Sequence, residues 1–444
     1  MPPTCRTADA HFPIRVGIRL APAMIFRLLP MLLALDVFGC GRADEDSAVV
    51  LRVANWGSPA VESSFMALER DLRAEFEAQH PGVHVQVELI PGEGRYAPKL
   101  MMMHVADSMP DVIHLDASSA AVFVDNGVLR DLTPMITGDA TFELAAYFDN
   151  VTDIARRGDA LYAIPLDFTP MVIYYNKTLF DRAGVPYPHD GWTWAEFLET
   201  SLALTVISEK DARPRQYGFN FINWMPGWLP WLWANGGDVL DETGSRATGY
   251  LDGPETVEAV QFLVDLIRKH HVAPGPAETA ALGIDLFRAG RAAMDLKGHW
   301  MMLDYRADGI DFGVVSLPTN TGKPVTVIYE SGLAITENTR HPEFAWQYIK
   351  FMTGADVQRR RVASGLAISA HRQVAAIYAG NPIEDSFLRQ VPAARAPWGA
   401  RVERYPFVEE LGREMMEDIL YGTVTVEESL HQTALLIDRA LGEP

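Results

Sequence analysis

The sequence predicts an α/β protein with parallel sheets covered by helices on both faces, and three observations carry that expectation. Strand signals (alternating apolar residues) and helix signals (apolar residues three and four apart) take turns along the chain from Val49 onward. The chain has 444 residues, 48% of them hydrophobic, which is enough for more than one core. Its cysteines, Cys5 and Cys40, both lie upstream of the alternating region, so neither a disulfide framework nor a cysteine metal site organises the body.

The elements follow in order. Residues 50–54 read as a strand that ends at Asn55-Trp56-Gly57. Phe65, Leu68, Leu72 and Phe76 recur at helical spacing, and Gly82 stops that helix. Val83, Val85, Val87 and Leu89 alternate as a second strand, followed by a glycine-bracketed loop with Glu93, Arg95 and Tyr96. Residues 110–115 form a third strand ending at Asp116, residues 160–166 a fourth ending at Asp167, and residues 171–175 a fifth. Thr193-Trp194-Ala195-Glu196 is a capping box, in which hydroxyl and carboxylate satisfy free amides at a helix start. Gly253-Pro254 opens a helix with Val257, Val260, Leu263, Val264 and Ile267 on its inner side. Later strands are expected over 312–317 and 326–329, and mainly helix after Pro342. In open parallel sheets ligands bind beyond the carboxyl ends of the strands, where this reading places Asn55, Trp56, Asp116 and Asp167.

Residues 24–40 have the architecture of a signal peptide: Arg27, then an apolar run over 28–38 too short for an ordinary membrane span, then Gly39-Cys40. The ending resembles the lipobox of bacterial lipoproteins, which makes Cys40 the lipidated residue and the polar stretch 41–48 a tether. Asp36 and Phe38 depart from that pattern, so a cleaved signal and an uncleaved anchor stay open. Residues 1–23 read as an extension ahead of a start at Met24. The formal net charge is -20, which repels phosphate backbones and anionic headgroups and argues against a nucleic-acid binder.

Six blocks resemble the extracellular solute-binding proteins of ABC-type sugar importers, the group that includes maltose-binding protein. They are PGVHVQVELIP (81–91), MPDVIHLD (109–116), LYAIPLDFTPMVIYYNKTLFDRAGVPYP (161–188), FLVDLIRKHHVAP (262–274), LFRAGRAAMDLKGHWMM (286–302) and SGLAITENTRHPEFAWQYIKFM (331–352). The resemblance implies two lobes, each a mainly parallel sheet flanked by helices, that close on a ligand by hinge motion. It places crossings near Leu166, Glu330 and Ala370. The first lobe is then 49–165 plus 331–370, and the second 166–330 plus 371–444. It further implies a monomer that passes its ligand to a membrane permease, uses no cofactor or metal, and is not an enzyme.

Sugar hydroxyls need fixed polar partners, and the C–H faces of sugar rings need flat aromatic surfaces. Trp224 and Trp300 match the family's stacking aromatics, although His299 stands where the family motif has proline. Asp116 and Asp167 match family positions too; their other reading is to cap the helices that follow. Trp231 and Trp233 read as core. Trp228 stands between core and ligand, and Trp56 between ligand and packing between lobes. Glu330, Asn235, Gly236 and Asp238 are candidates for the cleft, with turn chemistry as the alternative. Glu93 and Arg95 read as a solvated loop.

The rivals have less behind them. Asp116 and Asp167 could act as a glycosidase pair, but no GxSxG, HExxH or P-loop supports an enzyme. His270-His271, His80 with His84, and the Asp238-Asp241-Glu242 stretch do not have metal-site spacing. Other solutes on the same fold (a polyol, a glycerophosphodiester, a peptide) and a sensor feeding a signalling partner remain alternatives.

Overall fold

The computed structural model describes residues 48–57, 64–91, 95–208, 214–365, 367–378 and 380–442, with no side chains given for 64 and 65. The signal segment, Cys5, Cys40, the tether up to residue 47 and Glu93 lie outside the described residues. In chain order the strands are β1 (Val49–Trp56), β2 (Val83–Ile90), β3 (Val112–Asp116), β4 (Arg156–Arg157), β5 (Ala160–Leu161), β6 (Ile164–Pro170) and β7 (Val172–Asn176). They continue with β8 (Val206–Ile207), β9 (Pro214–Asn220), β10 (Ala292–Lys297), β11 (Phe312–Val315), β12 (Thr326–Ile335), β13 (Ile368–Ser369) and β14 (Ala394–Arg395).

Two sheets hold most of them. The first runs β13-β6-β12-β3-β1-β2, with β14 beside β12; the second runs β11-β7-β10-β9-β8. The α/β class stands, but each sheet is mixed. β1 pairs in parallel with β2 and β3, and β9 with β10. β12 runs antiparallel to its neighbours β3 and β6, and β7 to its neighbours β10 and β11. These are the strands by which the chain returns to the first sheet and enters the second.

One expected strand divides. Residues 160–161 form a small hairpin with β4, and β6 starts only at Ile164 and continues to Pro170. Asp167 therefore lies inside β6, not at a strand end. β6 faces β12, and its run ends one residue before Met171, after which β7 joins the second sheet.

Helices form where the sequence marks them. Thr193 Oγ1 accepts from the Glu196 amide and Glu196 Oε2 accepts from the Thr193 amide, closing the capping box of the helix Trp194–Leu204. The helix Pro254–Arg268 buries Val260, Leu263, Val264 and Ile267. One apolar cluster fills the first sheet and continues through Phe168, Tyr174 and Phe387 to one face of the second. The other covers the opposite face of the second sheet, under the helices Met225–Ala234, Pro254–Arg268, Tyr405–Tyr421 and Val426–Gly442.

Candidate ligand-binding site

The rim of the first sheet is polar. Asp116 closes β3, and Asp167 lies two strands away in β6; both pair with Ser331 of β12, so their side chains share a face. Asp116 is half-buried, and its Oδ1 accepts from the amide of Ser118 (2.8 Å) and from its hydroxyl. That is the turn-capping role, performed by one carboxylate oxygen. Asp167 Oδ2 accepts from Arg361 (2.9 Å), and Arg361 also donates to Glu69 on the helix Ser64–Gln79. Burial lifts the carboxyls of Glu69 and Asp167 above their usual range, with the guanidinium opposing it. Trp56 closes β1, half-buried between Tyr96 and His114, each 5.3 Å away between ring centroids. A cavity of about 220 Å³ opens beside it, lined by Asn55, Glu69, Arg73, His114 and Tyr348.

The rim of the second sheet is aromatic. β9 and β10 are parallel neighbours, and Trp224 and Trp300 follow their carboxyl ends. Each indole rests on a glycine. A Cβ on Gly298 would lie 2.0 Å from the Trp300 ring, and one on Gly227 would lie 2.6 Å from the Trp224 ring. Both glycines are needed for close approach. Trp300 is 41% exposed, unusual for so large an apolar group outside a binding surface. Trp224 is half-buried, with the Lys297 ammonium 5.6 Å from its ring centroid.

The two rims meet at Tyr329 in β12. Its ring lies 6.4 Å from that of Trp300. Burial, followed by Glu409, Tyr405 and Asp116, holds its hydroxyl well above the usual phenol range. Glu409, on the helix Tyr405–Tyr421, is pushed up to about 8 by burial and by Asp116.

His299 explains its own departure from the family motif. Its amide, which proline would lack, donates to Thr169 Oγ1 in β6 (2.7 Å), and its buried ring pairs with Glu384 (3.0 Å). Glu384 lies on the helix Pro382–Gln390, so this turn ties the second sheet's rim to a strand of the first.

Five expected residues are placed elsewhere. Trp228 is completely buried with Trp231 in the second core and presents no surface to a ligand. Asn235 donates to the Glu255 carbonyl and to Glu258, and accepts from Asn320, so both amide hydrogens and its oxygen are engaged within the fold. Gly236 is the left-handed turn residue after the helix Met225–Ala234, at φ 85°. Asp238 accepts from Arg395 (2.6 Å) and the Trp398 indole (2.7 Å), tying down a distant segment. Glu330 is 1% exposed, packs over Gly332, and has neither carboxyl oxygen hydrogen-bonded. Burial, followed by Asp116 and Asp167, holds it well above the usual carboxylate range. Trp56 and Asp116 stand at strand ends of the first sheet with Asp167 on the face of Asp116, while Trp224 and Trp300 follow strand ends of the second, and the structure adds Tyr329, Arg361 and Glu409 beside them. Among the described residues no group of three or more His, Cys, Asp or Glu could hold a metal ion, and no helix is long and apolar enough to cross a membrane.

Two sheets that offer the ends of their parallel strands to one polar and aromatic rim, joined by strands running from one to the other, define a two-lobed receptor. The chain belongs to the family of bacterial extracellular solute-binding proteins, which it matches over residues 60–359. It is 22% identical over 362 residues to the sn-glycerol-3-phosphate-binding periplasmic protein UgpB of Agrobacterium fabrum, covering 76% of this chain and 80% of that one. It is 22% identical over 286 residues to the arabinooligosaccharide-binding protein of Halalkalibacterium halodurans, covering 61% and 60%. The fold is shared with the substrate-binding protein Lmo0181 of Listeria monocytogenes, solved with cycloalternan (TM-score 0.80, 24% identity, 89% of this chain and 100% of that one). It is also shared with the GacH receptor of Streptomyces glaucescens, solved with acarbose (TM-score 0.75, 22% identity, 89% and 99%).

Proposed function

We propose that the protein captures a carbohydrate between its lobes and delivers it to an ABC-type membrane permease, without chemical turnover. The observation that carries this is the pair of tryptophans seated on glycines, Trp224 and Trp300, at the carboxyl ends of two parallel strands. Aromatic faces suit sugar C–H surfaces, and carboxylates suit vicinal hydroxyls. Relatives that bind oligosaccharides support the reading. The acidic rim speaks against the phosphate ester named for the Agrobacterium relative.

The lobes follow sheet membership. The first is built on β1, β2, β3, β6, β12 and β13, and the second on β7 to β11. This puts one crossing at Met171, five residues after the expected Leu166, and another between Leu317 and Thr326, at least four residues before the expected Glu330. The third follows the helix Arg372–Ile377, which packs on β13. In this proposal the protein works as an exported monomer held to a membrane by lipid on Cys40.

A thermal-shift screen of the chain from Asp44 onward, against mono- and oligosaccharides, polyols, amino acids and glycerol phosphates, tests the function. A saccharide that raises the melting temperature and is recovered intact after hours is the expected result. A shift with glycerol phosphate or an amino acid alone, or consumption of the sugar, would overturn it.

A further inference from the structure

The cavity beside Trp56 lies between the strands β1, β2 and β3 and the helices Ser64–Gln79 and Pro342–Thr353. Strand register sets its floor. Asn55 of β1 lies beside Leu89 of β2, and Ala54 beside Ile113 of β3, so Asn55 and His114 project from one face of the sheet. Asp116, two residues beyond His114, shares that face. The helices supply Glu69, Arg73 and Tyr348. Glu69 is joined through Arg361 to Asp167, so the cavity wall and the polar rim share one chain of ion pairs.

Three of the lining side chains are buried and lack partners. Asn55, His114 and Tyr348 are 6%, 3% and 1% exposed, and among the described residues none of these side chains makes a hydrogen bond. Buried polar groups are almost always paired, so a polar occupant belongs in this space. Its volume, about 220 Å³, is roughly half as large again as a cavity that holds benzene, enough for one six-membered ring with its substituents. Burial, with Arg361 second, lowers the His114 pKa to about 3, so the ring is neutral. An amide, a neutral imidazole and a phenol offer donors and acceptors together, as hydroxyl groups require. Glu69 and Arg73 carry opposite charges, which favours an uncharged occupant.

We infer that this cavity receives the terminal ring of the ligand, and that the protein recognises a neutral oligosaccharide by its end. Trp56, which lines the cavity and closes β1, joins it to the rim where the rest of the ligand chain lies. Space for one ring admits the end of a chain and refuses its middle. The inference rests on the carbohydrate reading above and adds which members of that class are refused: those without a free end.

Isothermal titration tests it, with maltotriose, cellotriose, xylotriose and arabinotriose as linear probes, and with maltohexaose against cyclomaltohexaose. A linear probe should bind, and Asn55→Leu should weaken it on the order of tenfold. Val87→Phe, which puts a ring into the cavity, should weaken it at least as much without lowering the melting temperature. Maltohexaose, where it binds, should bind more tightly than its cyclic counterpart. Linear saccharides held equally well by both variants would mean that the cavity holds water only, and would overturn the inference while leaving the carbohydrate reading standing. So would cyclomaltohexaose bound as tightly as maltohexaose, a comparison made on the unsubstituted protein and independent of how the variants fold. Failure of every saccharide would overturn both.

Discussion

The two rims that meet at Tyr329 are built on opposite plans. The first sheet offers charges that already have partners: Arg361 joins Glu69 to Asp167, and Ser118 occupies one oxygen of Asp116. The second offers tryptophans seated on glycines: Trp300, 41% exposed beside Tyr329, and Trp224, half-buried against the second core under Lys297. Side chains fixed by one another hold the fold together, whereas an indole as exposed as that of Trp300 adds less to it. Substitutions on the two sides should therefore separate stability from affinity.

The largest effect is expected at Arg361. Arg361→Met strands two buried carboxylates and should cost about 3–5 kcal/mol in urea unfolding. Adding Glu69→Gln to it should restore part of that loss; no recovery would mean the arginine acts through packing alone.

Asp295 in β10 extends the comparison beneath the aromatic rim. It is 1% exposed, accepts from the Tyr305 hydroxyl (2.9 Å), and is raised to about 6, first by burial. A carboxyl with a raised folded-state pKa favours the folded protein when protonated. Its contribution is complete below pH 4 and is lost as pH climbs through 6. This residue should thus remove up to about 3 kcal/mol between pH 4 and 7. Asp295→Asn should flatten that part of the stability profile, and an unchanged profile would assign the slope to other groups.

Trp300→Ala should weaken ligand binding by about 2 kcal/mol, roughly thirtyfold in Kd, with the melting temperature nearly unmoved. A collapse of stability would place the indole among structural residues. Gly298→Ala should act in the same direction but less, since the added methyl displaces the exposed ring without deleting it. If it spares affinity, the position of the indole over the glycine is immaterial.

Much of this was legible in the sequence, and the gaps have physical causes. β1, β2 and β3 declare themselves by alternating or continuous apolar residues, and Trp56 and Asp116 follow from where those strands stop. Trp224 and Trp300 were visible because tryptophan is rare and its neighbours carry the family pattern. Trp228 was ambiguous because burial depends on which way a helix turns, and the Met225–Ala234 helix is apolar all round, with every residue buried. Asp238 and Asn235 had the right chemistry for a cleft, but their partners Arg395, Trp398 and Asn320 are remote in sequence. Glu409 and Arg361 were hidden for the converse reason. Each lies in a run of like charges on a helix, and only tertiary packing selects the one that turns inward.

The register around Ser331 has a last consequence. Asp116 and Asp167 flank that serine on adjacent strands of one sheet, so their backbones are two strand spacings apart, roughly 9–10 Å. Bending between the lobes leaves this interval untouched, while it changes every distance from either aspartate to Trp300. In the proposed receptor the aspartate pair is thus a fixed interval, and Trp300 the part whose distance from it changes.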